Sequence, residues 1–170
     1  MALNEVDLGH LRRCVELARI ALDHGDAPFG SILVGGDARI LYEDRNRSGS
    51  GDHTQHPELA IARWAAAHLA PPDRVRATVY TSCEHCPMCA AAHAWVGLGR
   101  IVYATSAAQL HRWLAEWQAP PPPVAPLPIP TVAPGALVDG PAPALQDELK
   151  ALYEARFRRE APSAPSQITG

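Results

Sequence analysis

The sequence predicts an α/β protein in which helices flank one layered β-sheet. Short β-rich runs alternate with amphipathic or alanine-rich runs along the chain, and this alternation is typical of a sheet whose strands are joined by right-handed helical crossovers. The chain has 170 residues, 47% of them hydrophobic, and a net charge of −3, which indicates a globular domain with a real core. We predict one domain over residues 1–160 and a disordered tail over 161–170.

The first half of the chain predicts a helix, a hairpin and a second helix. Residues 5–24 carry apolar side chains at helical spacing. Two β-rich runs within residues 29–42 flank a Gly-Gly-Asp turn and predict a hairpin. A polar loop at 44–55 follows, and then an alanine-rich helix at 58–69, which Pro71-Pro72 are expected to end.

The second half predicts further alternation of strands and helices, interrupted by a proline-rich segment. Ten of the 17 prolines fall between Pro120 and Pro143. Proline cannot donate to a strand ladder, so this segment is expected to hold at most a short edge strand, at 129–132. The other predicted strands lie at 78–81 and 101–103. Helices are predicted at 86–96 and 144–160, and a further helix begins after the N-cap residue Ser106.

Three of the four cysteines are clustered. Cys83, Cys86 and Cys89 lie within seven residues, whereas Cys14 stands alone. A secreted disulfide framework would spread its cysteines along the chain, and the N-terminal residues do not resemble an export signal. The cluster therefore predicts a metal site in a reducing compartment, and we expect a cytoplasmic protein.

His56 and the pair Cys86–Cys89 are the candidate metal ligands. Cysteines at i and i+3 lie one turn apart on a helix face, so both thiolates can reach one ion, and His56 begins a neighbouring helix. Three protein ligands leave zinc a position for water, which is the catalytic pattern, and Glu58 lies close enough to move protons without being a ligand. The alternative is a closed structural site in which Cys83 or His85 is the fourth ligand.

These residues carry a resemblance to a known family. His56-Pro57-Glu58 and the later Cys86-Pro87-Met88-Cys89 follow the H-x-E and C-x-x-C signature of zinc nucleobase deaminases. Over residues 5–160 the chain resembles the cytidine deaminase-like superfamily, in the branch of guanine deaminases, yeast-type cytosine deaminases and bacterial tRNA adenosine deaminases. The resemblance implies a three-layer α/β/α fold with a mixed sheet of about five strands, one Zn²⁺ per chain and a homodimer.

The resemblance also implies roles for individual residues. Glu58 is the expected proton carrier. Asn46 is the expected contact to the base, or else stabilises a turn, and Phe29 is either a core residue or a pocket residue. Trp113 and Trp117 share one helix face and are either core residues or an aromatic lid over the substrate. Glu84, next to the ligands, is expected to support them by hydrogen bonds, and His85 either does the same or is a surface residue that caps a helix.

Two positions depart from the family pattern. His85 stands where relatives carry proline. Pro57 stands where relatives carry alanine or glycine, whose backbone N–H donates to the bound base, and proline has no N–H. We therefore hypothesise that selectivity shifts from guanine and cytosine towards another amino-substituted azaheterocycle.

The sequence thus predicts a zinc-dependent hydrolytic deaminase that releases ammonia from a free nucleobase or a related small heterocycle, whether guanine-like, cytosine-like or triazine-like. The mild net acidity argues against a broad nucleic-acid surface, and no apolar run is long enough to span a bilayer. One alternative is a tRNA adenosine deaminase that uses the basic cluster Arg156–Arg159. The other is a zinc-stabilised interaction module without catalysis.

Overall fold

A mixed sheet of five strands forms the centre of the computed structural model, which describes residues 3–158. The order of the strands across the sheet is the second, first, third, fourth and fifth in the chain. The first strand is antiparallel to the second and third, whereas the third, fourth and fifth are parallel. This arrangement confirms the predicted sheet, whose strands are β1 (Gly30–Val34), β2 (Ile40–Arg45), β3 (Thr78–Cys83), β4 (Arg100–Thr105) and β5 (Val138–Asp139).

Helices cover both faces of this sheet, so the predicted three-layer α/β/α fold is confirmed. Alternate residues of the strands point to opposite faces, as Ile32 and Leu33 in β1 show by packing into different core clusters. One face packs on the first, fifth and seventh helices, and the other on the second and fourth. The helices are α1 (Glu5–Asp23), α2 (Pro57–His68), α3 (Pro71–Arg76), α4 (Pro87–Val96), α5 (Ala107–Glu116), α6 (Ile129–Val132) and α7 (Gln146–Phe157).

The proline-rich segment differs from the prediction. The edge strand expected at 129–132 is wrong, because these residues form the short helix α6, and the edge strand is β5 instead. Pro130 lies in the first turn of α6, where a missing backbone N–H costs no hydrogen bond. Ile129 is fully buried against Ile101 and Ala90, so packing rather than strand pairing fixes this segment.

The bounds of other elements also differ from the prediction. α2 ends at His68, before the two prolines, and Pro71-Pro72 begin α3 rather than only ending α2. β2 extends to Arg45, which pairs with Gly30, so the predicted loop is shorter than expected. The predicted disordered tail lies outside the described residues. None of the helices within residues 3–158 is long and apolar enough to cross a membrane.

The approach of α1 to β1 at Gly30 leads to a stability prediction. A Cβ atom at this position would overlap the side chain of Leu17 and the carbonyl oxygen of Cys14. We expect Gly30→Ala to lower the free energy of unfolding by about 1–3 kcal/mol, because one of the two elements must move. The measurement is chemical denaturation of the purified protein.

The control is a glycine-to-alanine substitution within α1, away from β1. Gly9 is exposed within the helix, and a Cβ atom there would meet nothing within 4 Å. Gly9→Ala should therefore raise the free energy of unfolding by up to about 1 kcal/mol, because alanine loses less conformational freedom in a helix than glycine does. Equal stability of Gly30→Ala and the unsubstituted protein would contradict the close packing.

Candidate metal centre and active site

Two helix N-termini bring the candidate ligands together. His56 is the N-cap residue of α2 and Cys86 the N-cap residue of α4, and a proline follows each at the first helical position. A turn closed by Asp52, which accepts hydrogen bonds from the backbone N–H and hydroxyl of Thr54, leads the chain into His56. The predicted positions of both motifs at helix starts are therefore confirmed.

The three donor atoms have the spacing that zinc requires. His56 Nδ1 lies 3.6 Å from the sulfur of Cys86 and 3.6 Å from the sulfur of Cys89. All three donor atoms lie within 4.8 Å of one another. A tetrahedral zinc ion, with bonds of about 2.0 Å to nitrogen and 2.3 Å to sulfur, holds such atoms about 3.6 Å apart. The residues therefore fit the ion.

The protonation of the cysteines separates the ligands from the structural thiols. Hydrogen bonds from Cys89 and His56 lower the pKa of Cys86 to about 4. The same contact with Cys86 raises the pKa of Cys89, because the S–H of Cys89 donates to the Cys86 thiolate. Burial raises the pKa of Cys14 and of Cys83, which remain neutral thiols in the core. Only the Cys86–Cys89 pair is electrostatically prepared to bind a cation.

The alternative of a fourth protein ligand finds no support in this geometry. Among residues 3–158, the metal-binding group that includes His56 contains neither Cys83 nor His85. The His85 ring is 1% exposed and packs edge-on against His93, with ring centroids 5.5 Å apart. Burial lowers the pKa of His85 well below its ordinary value, so the ring is neutral. Three protein donors with room for water are the catalytic pattern.

Glu58 lies beside this ligand set, in the first turn of α2. Its Oε2 is 3.8 Å from the sulfur of Cys89. Its Oε1 lies 2.7 Å from the hydroxyl oxygen of Thr81 and 3.1 Å from that of Ser31, within hydrogen-bond distance of both. Burial raises the pKa of Glu58, opposed by the nearby His56 and the Thr81 hydroxyl. A buried carboxyl with a raised pKa beside a metal site suits proton transfer.

Ser31 and Thr81 are site residues that the sequence reasoning missed. Both are fully buried, and they face each other across the β1–β3 ladder. A hydroxyl inside a buried strand needs a hydrogen-bond partner, so the signal was present. It could not be assigned to Glu58 without the register of the two strands.

Asn46 has a fixed orientation. Its Oδ1 accepts from the backbone N–H and the hydroxyl of Ser48, at 2.9 and 2.6 Å. Because a backbone N–H can only donate, the accepting atom is the amide oxygen, and the Nδ2 protons are what Asn46 can offer to a ligand. Its own backbone N–H donates to the carbonyl oxygen of Phe29, which places these two predicted residues side by side.

The predicted aromatic residues belong to one cluster on the α1–α7 face. Phe29 packs against Tyr153 and Phe157, with ring centroids 5.6 and 6.3 Å apart. Trp113 is buried and packs on Tyr153 at 6.2 Å, and Trp117 stacks on Trp113 at 6.5 Å. The core interpretation of Trp113 accounts for its burial, and the lid interpretation of both tryptophans stays a prediction.

Glu84 organises the segments around the metal ligands. One carboxylate oxygen accepts from the backbone N–H of Ala107 at the start of α5, and the other from that of Ile129 at the start of α6. Two helix N-termini thus share one buried carboxylate, which suits the positive end of each helix dipole. The proline-rich connection between α5 and α6 is therefore anchored two residues from Cys86.

Pro57 occupies the position between His56 and Glu58 without disturbing α2. It is buried at the first helical position, where its fixed backbone torsion fits the helix. At this point the wall beside the ligands offers no backbone N–H to a bound molecule. Pro57 therefore changes the hydrogen-bonding groups beside the ligands without disturbing the fold.

The fold and this site place the chain in a family of zinc enzymes. The family model for the cytidine and deoxycytidylate deaminase zinc-binding region matches residues 4–105, more than half of the chain. The chain belongs to this family, and its His56, Cys86 and Cys89 lie close together, as for a zinc site.

Curated relatives have different substrates. The chain is 35% identical over 104 residues to a probable cytosine deaminase of Schizosaccharomyces pombe, covering 61% of this chain and 63% of the relative. It is 36% identical over 95 residues to guanine deaminase of Bacillus subtilis, covering 55% and 61%. It is 34% identical over 87 residues to a tRNA-specific adenosine deaminase of Agrobacterium fabrum, covering 51% and 57%. The chain thus matches less than two thirds of the length of each.

Solved structures confirm the fold. Guanine deaminase from Bacillus subtilis superposes with a TM-score of 0.53 at 32% identity, covering 63% of this chain and 68% of that chain. A guanine deaminase from Nitrosomonas europaea superposes over 92% of this chain and 86% of that chain, with a TM-score of 0.65 at 17% identity. The second similarity supports the architecture alone.

Proposed function

We propose that this protein is a hydrolytic deaminase that replaces the exocyclic amine of a free nucleobase, or of a related amino-azaheterocycle, by oxygen and releases ammonia. The observation that carries the proposal is the position of Glu58, a buried carboxyl whose Oε2 faces Cys89 of the ligand set. Relatives that act on cytosine, guanine and tRNA adenosine support the reaction type. A non-catalytic interaction module would have no need of this carboxyl.

The residues of the chain account for the proton movements of such a reaction. Bound zinc lowers the pKa of water towards about 7 and so supplies a nucleophile near neutral pH. Glu58 takes a proton from the attacking water and delivers it to a ring nitrogen of the substrate. Glu58 then takes the remaining proton from the added hydroxyl and carries it to the amine, so that the carbonyl forms, the carbon–nitrogen bond breaks and neutral ammonia leaves.

Asn46 and Pro57 define the recognition that we propose. The Nδ2 amide of Asn46 is a donor, whereas Pro57 offers none. A substrate carbonyl buried against Pro57 would lose a hydrogen bond at a cost of about 1–3 kcal/mol. The pocket therefore favours a heterocycle with an acceptor near Asn46 and no carbonyl near Pro57.

Replacement of Pro57 by alanine tests this selectivity. The variant regains one backbone N–H, so we expect kcat/KM for guanine or cytosine to rise about tenfold relative to a carbonyl-free aminoheterocycle. Steady-state kinetics on the matched substrates measure the ratio. Pro71→Ala, at the first position of α3, is the control and should leave the ratio unchanged. An unchanged ratio in Pro57→Ala would refute the role of this residue.

The substrate itself is identified by ammonia release from a panel. The panel contains guanine, cytosine, adenine, isoguanine, aminopterins and aminotriazines, each incubated with the zinc-loaded protein. We expect turnover of at least one compound, preferably one without a carbonyl beside Pro57. If the zinc-loaded protein released no ammonia from any compound of the panel, the result would contradict a small-molecule substrate.

Deamination of adenosine in tRNA is the second candidate, because relatives include such enzymes. Within the described residues, the arginines proposed to contact tRNA already interact with other side chains of the protein. Arg158 forms an ion pair with Glu154, and the Arg156 guanidinium lies over the ring of Phe157. Arg159 lies outside the described residues. Salt-dependent tRNA binding with inosine formation would favour this candidate over the first.

We retain the homodimer and the cytoplasmic location as proposals. Trp95 on α4 is 90% exposed, and a large exposed apolar side chain of this kind supports an interface on that face. Light scattering on the purified protein measures the mass in solution. Trp95→Ser should shift the protein towards monomer if this face mediates the contact.

A further inference from the structure

Two buried hydroxyls form a short hydrogen-bonded chain that ends on Glu58. Ser31 on β1 and Thr81 on β3 are directly opposite each other in the antiparallel ladder. Their hydroxyl oxygens are 2.8 Å apart, and that of Thr81 is 2.7 Å from Glu58 Oε1. Both residues have 0% exposure, so water does not compete for these bonds.

The number of protons fixes what this chain can do. Each hydroxyl carries one proton and can donate one hydrogen bond. Three oxygen–oxygen contacts join Ser31, Thr81 and Oε1, and two hydroxyl protons serve them. When the Glu58 carboxyl is ionised, at least one hydroxyl therefore donates to Oε1. Oε1 is held at the sheet in this way, whereas Oε2 is the oxygen that faces Cys89.

We infer that Ser31 and Thr81 are positioning residues that hold Oε1 of Glu58 against the sheet, so that Oε2 is the oxygen turned towards the metal ligands. The inference rests on the proposed function, since it assigns these hydroxyls a part in the same reaction. A carboxyl that is not held would sample several orientations relative to the substrate. Anchoring one oxygen fixes the orientation before the substrate binds.

Thr81→Val tests the inference, because valine keeps the shape of threonine and removes the hydroxyl. We expect kcat to fall about 10- to 100-fold with little change in KM, as for a lost hydrogen bond to a charged group. Thr81→Ser keeps the hydroxyl and should restore kcat to within about threefold of the unsubstituted enzyme. Thr78→Val, on the same strand but away from Glu58, is the matched control and should leave kcat unchanged.

Ser31→Ala keeps the inference falsifiable if Thr81→Val does not fold. We expect kcat to fall about 3- to 10-fold in this variant. The double variant should lose less than the product of the two single losses, because both hydroxyls belong to one chain. Normal kcat in Thr81→Val, or an equal loss in Thr81→Val and Thr81→Ser, would overturn the inference.

A second measurement does not depend on turnover. Infrared difference spectra of zinc-loaded, substrate-free protein against Glu58→Gln isolate the carboxyl bands of Glu58. The bands should shift in Thr81→Val and stay in place in Thr81→Ser and Thr78→Val, because only the first loses the donor. Bands that do not move in Thr81→Val would overturn the inference. If no compound of the panel were turned over, the proposed function would fail, and the spectra would still decide whether the hydroxyls hold Oε1.

Discussion

Replacement of Glu58 by glutamine is expected to abolish deamination while zinc stays bound. Glutamine has nearly the same shape but cannot carry a proton, so kcat should fall by about 10²- to 10⁴-fold. The zinc content should match that of the unsubstituted protein, because Glu58 is not among the clustered ligands. Elemental analysis and the ammonia assay measure the two quantities on one preparation.

Glu16→Gln is the control for this substitution. Glu16 lies on α1 with its side chain 63% exposed, and it pairs with Arg13 at the surface. Its replacement should change neither zinc content nor turnover, since exposed ion pairs contribute little. Appreciable activity in Glu58→Gln would refute the proton-carrying role, and loss of zinc would indicate that Glu58 supports the metal instead.

Replacement of Cys86 by alanine is expected to remove zinc, activity and part of the stability together. A site with two remaining ligands binds zinc far more weakly, so turnover should fall by more than about 10³-fold at ordinary zinc concentrations. The bound metal stabilises the folded state by about 3–4 kcal/mol when it is present at several hundred times its dissociation constant. Thermal unfolding with and without a chelator measures this contribution.

Cys83→Ala is the matched control. Cys83 lies at the end of β3, close to Cys86 in the sequence, but its side chain belongs to the core. It should keep zinc and turnover and lose about 1–2 kcal/mol of stability from the cavity. Zinc loss in Cys83→Ala would restore the closed structural site as an explanation. Zinc added back to chelator-treated protein should restore activity in Cys83→Ala and fail to do so in Cys86→Ala.

The zinc site could be predicted from the sequence because local spacing determines it. His56 and Cys86 each begin a helix, and the i, i+3 relation of Cys86 to Cys89 puts both sulfurs on one helix face. Each of these facts depends on a few consecutive residues. We could predict that the two helix starts meet at one ion, because histidine and cysteine side chains are the ligands that zinc prefers.

The contacts that involve distant segments could not be predicted in the same way. The hydroxyls of Ser31 and Thr81 meet Glu58 only because β1 and β3 pair in one register, and that register depends on the whole sheet. The short helix at Ile129 was mistaken for a strand, because four residues are too few to show a period. Burial of Ile129 against Ile101 decided its conformation, and burial is a tertiary property.

The carboxylate of Glu84 has a consequence for how this protein can diverge. It fixes the starts of both α5 and α6, so the exposed proline-rich connection between these helices begins and ends at anchored elements. Lengthening such a connection costs little free energy, and surface connections of this kind vary most among related proteins. Insertions, deletions and substitutions between residues 118 and 127 can therefore accumulate while the metal chemistry is preserved.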